Sequence, residues 1–211
     1  MYLVSILIPT LLERTEQFQK MVNKLYKQIN DNDLQKKIEV IYICDNRTIP
    51  LSKKRNMLQK MCNGMYFTHL DDDDNFTDNY CMSVVKFIEG MDKPLDIISY
   101  NQLAYVKNNK FIVVPSMTHG LNLTPKDIEF DQDMNPLKTL PTFFRYPWQW
   151  CLWRTERFRK VYRTDVDTNA REDQNWLKKC SLEYPKNMGH INEILHHYHY
   201  ENPEKSTCQS A

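Results

Sequence analysis

Glycine is nearly missing from this 211-residue chain, which holds only Gly64, Gly90, Gly120 and Gly189. Phosphate cradles such as G-x-G-x-x-G or the P-loop need several glycines in a short window, because a bare backbone must approach the phosphate. Neither pattern can be drawn here, so a nucleotide held by this chain must be gripped by side chains and a metal. Paired cysteines are missing too: Cys44, Cys62, Cys81, Cys151, Cys180 and Cys208 form no C-x-x-C and no zinc-type spacing. Scattered in this way they read as reduced core thiols, which fits a cytoplasmic compartment. Neither sign of charge is in excess, and a formal net charge of +1 argues against bulk electrostatic capture of nucleic acid. The local basic cluster Arg154, Arg157, Arg159, Lys160 and Arg163 reads as a solvated helix face. No hydrophobic run is long enough for a membrane span; the apolar opening MYLVSILIPTLL is short, lacks a basic leader and contains Pro9. It reads as a first strand, with no export or anchoring signal expected.

What is present is an ordinary globular composition, 41% hydrophobic and 26% charged, in a length that suits one domain with a real core. Tyr2 to Pro9 is a β-branched apolar run of the kind buried on both faces of a sheet. Phe18, Met21, Val22, Leu25, Tyr26 and Ile29 then recur at helical spacing, and Lys37 to Cys44 is a second strand. Strand, helix, strand is the pattern of a right-handed parallel crossover. A helix over LSKKRNMLQKMC, with Ser52 as its N-cap, leads into a third strand, Met65 to Leu70. Thr77 or Asp78 is expected to cap a helix carrying Tyr80, Val84, Val85 and Ile88. Leu95 to Tyr100 reads as a strand, and LAYVKNNKFIVV as a hairpin turning at Asn108-Asn109. Pro115 to Pro147 has weak periodicity and reads as a long irregular loop. WQWCLWRTERFRKV gives a strand leading into a helix, and REDQNWLKKC opens another with Glu172 and Asp173 in its first turn. No repeat or linker marks a second domain.

The third strand runs directly into YFTHLDDDDNFTD, which holds four consecutive aspartates, Asp71 to Asp74. Neighbouring carboxylates resist ionisation unless a cation or strong donors compensate, so the run is either a water-exposed loop or part of a site. Its position favours a site, because open α/β sheets bind ligands beyond the carboxyl ends of their strands. Asp45 falls at the same edge, after the second strand. Alternate side chains past a strand face the same way, so Asp71 and Asp73 can share a divalent cation and a ribose hydroxyl. Hard oxygen ligands suit Mn2+ or Mg2+, with diphosphate oxygens completing the shell. A calcium EF-hand is excluded, because Phe76 and Met82 stand where it needs Gly and Glu.

The ordered set VSILIPT, ICDNRT, KKRNML, GMYFTHLDDDD, WCLWRTERFRKV, ARED and HHYHYENPEKS resembles the family 2 type of glycosyltransferase. The resemblance runs from Val4 to about Ser206 and extends to the small glycosyltransferase domains encoded by large algal viruses. It implies the GT-A fold, an α/β fold with a mixed, mostly parallel central sheet flanked by helices. One domain, 1–211, would then comprise a donor-binding part over about 1–100 and an acceptor-side part over about 101–211.

By that resemblance Asp45 matches the acid that meets the nucleobase, with Thr10 at the matching end of the first strand, and Arg55 a basic residue near the ribose and phosphates. Asp71, Asp72 and Asp73 match the D-x-D element, with Asp73 on the metal and Asp71 or Asp72 on ribose or sugar hydroxyls. Asp173 matches the general base of inverting members, and His199 and His197 match a C-terminal histidine region that meets metal or diphosphate. Two motifs depart from the family: DNRT stands where D-G-S is usual, and histidine where arginine is usual near the end. The implied activity is metal-dependent inverting transfer of a hexose from a UDP-sugar to a hydroxyl of a glycan acceptor, with Asp173 as base. The implied partners are the nucleotide sugar and the glycan, with no nucleic acid and no membrane span. The implied setting is the cytoplasm, that of the host for a virus-encoded chain, and the resemblance also admits a larger multidomain chain that carries this domain. A plain alternative is a module that binds nucleotide sugar without turnover. Another is a sugar nucleotidyltransferase, which the lack of a glycine-rich triphosphate loop disfavours. Asp173 in a first turn could merely complement the helix dipole, and Trp148, Trp150 and Trp153 could be core.

Overall fold

The computed structural model describes residues 1–106, 109–118, 140, 142–163 and 172–200. Strand β1, Val4–Leu11, is buried along nearly its whole length because it lies between two parallel partners. These are β2, Ile38–Asp45, and β3, Tyr66–His69. The registers Leu11↔Asp45 and Leu7↔His69 bring Thr10, Asp45 and the segment after His69 to one sheet edge. Helix α1, Thr15–Asp31, closes the first crossover and buries Met21, Leu25 and Ile29, as its periodicity predicts.

Helix α2, Leu51–Met61, buries an unusual face: Ser52, Lys54, Arg55, Asn56 and Gln59 are inside, with Leu58. Ser52 is not its cap. Pro50 takes that position, its extended backbone setting the entry while its carbonyl accepts the Lys54 N–H at 3.0 Å. Helix α3, Tyr80–Glu89, likewise starts after Asn79 without a side-chain cap, rather than from Thr77 or Asp78.

The short β4, Asn75–Phe76, precedes α3. Strand β5, Ile97–Val106, pairs in a hairpin with β6, Asn109–Pro115; the turn itself, 107–108, lies outside the described residues. Parallel to β6 runs β7, Thr142–Arg145, so the stretch read as irregular ends in a strand. Four residues between prolines are too short to show a period, and 119–139 lie outside the described residues. Strand β8, Leu152–Arg154, is inserted antiparallel between β3 and β5 and runs into the one-turn α4, Thr155–Phe158. Helix α5, Glu172–Leu182, precedes β9, Met188–Tyr200, which pairs parallel with β5 and antiparallel with β4. The result is one mixed nine-stranded sheet, most of whose paired residues lie in parallel ladders, flanked by helices.

Sheet-to-turn packing is tight at Gly64, where an added Cβ would lie 2.6 Å from the Ser5 nitrogen. Trp153, Trp176, Phe67 and Phe158 form the aromatic part of the core beneath the site, and Trp150 is also buried, while Trp148 is only partly so. Cys62, Cys81, Cys151 and Cys180 are free buried thiols, but Cys44 is exposed at the end of β2. The basic cluster is not one solvated face: Arg163 is fully buried, and Arg157 pairs with Asp96 at 3.1 Å. Among the described residues no helix is long and apolar enough to cross a membrane.

Candidate functional site

The carboxyl ends of β1, β2 and β3 deliver the expected residues to one edge, but most of their polar atoms are already engaged. Asp45 is 9% exposed. One of its oxygens accepts the Ile49 N–H at 2.7 Å and the Thr48 hydroxyl at 3.2 Å, and the other pairs with the Lys54 ammonium. Lys54 also donates to the Thr10 carbonyl at 2.9 Å. Burial works to raise the Asp45 pKa, but Lys54 and the Ile49 N–H outweigh it and hold it below the ordinary carboxylate value.

Asp72 is buried as well, accepting from the Thr10 hydroxyl at 2.8 Å and from Arg14 at 2.6 Å. These contacts leave Asp72 as a brace between the first and third strand ends. Asp73 points outward with half its side chain exposed, 3.6 Å from Arg14. Asp74 accepts the Asp71 N–H at 2.7 Å and lies 3.1 Å from Nε2 of His196. The His196 Nδ1 faces the Gln102 amide at 2.8 Å, and its ring stacks on Trp150.

Asp71 pairs with Arg55 and accepts from the Gln149 amide at 3.3 Å. Burial raises its pKa to about 7 against the pull of Arg55, helped by the neighbouring Asp74 and Asp73. Burial and Asp74 also raise Asp73, with Arg14 opposing. A folded-state pKa above the unfolded one favours the protonated folded chain. That contribution is fully present below the ordinary carboxylate pKa and is lost as pH rises through about 7. Asp71→Asn cannot titrate, so its melting temperature relative to wild type is expected to move upward between pH 5 and pH 8 (about, spanning that titration). Thermal melts across that range check this, and a constant difference would refute it.

Beneath Asp71, Arg55 bridges to Glu172, the first residue of α5. Asp173 follows, half-buried at the helix start, with its oxygen on the Gln174 N–H at 2.8 Å. Burial and Glu172 raise its pKa, while Arg55 and Arg163 pull it down. A carboxylate tuned upward in this way is a better proton acceptor than a free one. His69, at the end of β3, is fully buried with neither ring nitrogen hydrogen-bonded; burial and the nearby Arg163 and Arg55 keep it neutral.

The histidines divide by strand alternation. His196 faces the aspartate loop, whereas His197 and His199 lie on the other side of β9 beside Tyr105, with His199 stacked on that ring at 4.3 Å. The structure therefore brings His196 to the aspartates and places the two histidines expected there on the opposite face.

Among the described residues, no group of three or more His, Cys, Asp or Glu side chains is gathered as a metal site. The donor set nevertheless fits a hard divalent cation of the kind held by one or two carboxylates plus substrate phosphates. Asp73 offers a half-exposed carboxylate, and Asp71 beside it has its proton affinity raised by burial and by the neighbouring Asp74 and Asp73.

No family model matches the chain, and no curated protein does. Solved structures do. S. aureus TarS 1-349 in complex with UDP-GlcNAc superposes with a TM-score of 0.60 at 15% identity, covering 99% of this chain and 61% of that one. The same protein in complex with UDP gives 0.59 at 15% identity over 94% and 60%. The fold is that of GT-A nucleotide-sugar transferases. This chain spans about three fifths of the length of those TarS 1-349 chains. Within the GT-A frame, the edge carrying Asp45 and Asp71 to Asp73 lies beyond the carboxyl ends of the parallel strands, as the sequence places it.

Several site residues escaped the sequence reading: Arg14, Lys54, Gln149, Arg163 and Glu172. A helix whose buried face is Lys, Arg, Asn and Gln gives no hydropathy signal. Only the density of polar residues at i, i+1 and i+5 in KKRNMLQ hints at it.

Proposed function

We propose that this domain is a metal-dependent inverting glycosyltransferase that moves a hexose from a UDP-sugar to a hydroxyl of a glycan acceptor. What supports this most is one juxtaposition: Arg55 joins Asp71, at the aspartate loop, to Glu172, the residue before Asp173. Residues over about 1–100 form the donor side and those beyond contribute the base.

Asp73, with Asp71, would hold Mn2+ or Mg2+, which when bound supplies charge neutralisation for the departing diphosphate. Asp71 orients donor hydroxyls once Arg55 has fixed its inner oxygen. Arg14, reaching both Asp72 and Asp73, adds positive charge on the same side. Asp173 takes the proton from the acceptor hydroxyl as its oxygen attacks the anomeric carbon opposite the nucleotide. Asp45 is saturated by Lys54, Thr48 and Ile49, so a nucleobase contact there requires one of these to yield. Asp72 meets the same limit through Thr10 and Arg14.

The test is a thermal-shift panel of UDP-, GDP-, CDP- and dTDP-sugars, with and without Mn2+, on wild type and Asp73→Ala. A ligand that binds only the folded chain raises its melting temperature. A UDP-sugar shift that needs both Mn2+ and Asp73 is expected. No shift with any sugar nucleotide would remove the donor site, and a shift indifferent to Mn2+ would remove the metal.

A further inference from the structure

Under the aspartate loop the polar contacts close on themselves. Asp71 takes Arg55 on one oxygen, and Arg55 reaches Glu172 with its other terminal nitrogen. The second Glu172 oxygen accepts from Nε of Arg163 at 2.6 Å. Arg163 then reaches the Gln149 carbonyl oxygen at 3.5 Å, and the Gln149 amide returns to the second Asp71 oxygen at 3.3 Å. Five side chains from separate parts of the chain thus make one ring, in which two carboxyl groups face two guanidiniums.

Arg55, Arg163, Glu172 and Gln149 are all buried, and only Asp71 is partly exposed. The ring is also anchored from below. Arg163 lies over the Trp176 ring of α5 at 4.6 Å, and its backbone is gripped from both sides by the Asn56 amide, at 2.8 and 2.9 Å. Buried charges with fixed partners resist rearrangement, because moving one strips another of its counter-ion, although Nε of Arg55 and one terminal nitrogen of Arg163 have no hydrogen-bond partner among the described residues.

We propose that Glu172 and Gln149 are positioning residues: the ring fixes the first turn of α5, and with it Asp173, relative to Asp71, so that donor-side carboxylate and base are placed as one unit. This rests on the reading of Asp173 as the base. Neither residue touches substrate; both act through Asp71 and Asp173.

Two measurements decide it. The first is amide hydrogen exchange at Trp176 and Leu177, whose N–H groups bond back into the first turn of α5. Asp71→Asn, in a distant segment, is expected to speed their exchange on the order of tenfold, since local opening governs it. Exchange unchanged from wild type overturns the ring whether or not the protein transfers sugar. The second is a kinetic cycle. Glu172→Gln is expected to lower kcat by roughly ten- to a hundredfold, as a misplaced base would, with the donor KM little changed. In an Asp173→Asn background the same substitution is expected to cost nothing further. Losses that multiply in that background overturn the positioning role. Gln149→Met, which removes the two longest links, carries the same cycle if Glu172→Gln does not fold. Failure of every sugar nucleotide to bind the wild type would instead sink the functional reading.

Discussion

Asp173→Asn is expected to lower the transfer rate by ~10²–10⁴-fold while leaving donor binding essentially intact. The carboxylate is half-buried beside Glu172, which raises its proton affinity, and beside Arg55 and Arg163, which keep it ionisable. An amide preserves the shape and the contact with the Gln174 N–H but cannot accept a proton. Single-turnover transfer with a UDP-sugar, alongside donor titration by melting temperature, separates the two effects. The acid limb of the wild-type rate profile should also lie above the ordinary carboxylate range, because burial raises this group. Full activity in the variant would remove Asp173 as the base. Loss of donor binding would make it a structural residue of the α5 terminus.

The second large effect concerns stability. Arg55→Met should cost ~3–5 kcal/mol, because it strips the shared cation from a buried Glu172 and from Asp71. For a domain of this size that corresponds to a fall in melting temperature of ~6–20 °C. Burial alone would depress the Arg55 pKa, yet Asp71 and Glu172 raise it overall, so the guanidinium is charged at any working pH. Adding Asp71→Asn to Arg55→Met removes the carboxylate that Arg55 alone had paired, while Glu172 keeps Arg163 at 2.6 Å, and should recover part of the loss. Calorimetry of the two variants checks both statements. A small loss in the single variant would mean that water reaches the pair.

The two strands at the start and the first helix were legible because their apolar spacing is unambiguous. Val4 to Pro9 is a continuous buried run, and α1 repeats its apolar residues at helical intervals. Asp45 and Asp71 to Asp73 were locatable because strand ends determine where side chains emerge. Occupancy was not legible. No pattern in DNRT announces that Lys54 saturates Asp45, since that contact depends on which face of α2 turns inward. The side of β9 on which each histidine lies was not legible for a related reason. HHYHY alternates across a strand, and a shift of one position exchanges His196 for His197 and His199. β7 was hidden between Pro141 and Pro147, in four residues too few to show a period. Ser52 looked like a cap by type, whereas Pro50 took the position.

The polar inner face of α2 also bears on how the chain is made. Arg55, Asn56 and Gln59 find their partners at Glu172, Arg163 and the carbonyls of residues 158–161, about a hundred positions later. During synthesis the amino-terminal strands leave the ribosome well before those partners exist. For that interval Leu58 can pack and Lys54 can find Asp45 and the Thr10 carbonyl, but the partners that Arg55, Asn56 and Gln59 take from the later segments are still missing. The amino-terminal half can therefore collapse early around β1, while the final ordering of the Arg55, Asn56 and Gln59 face waits for the segments up to α5 to emerge.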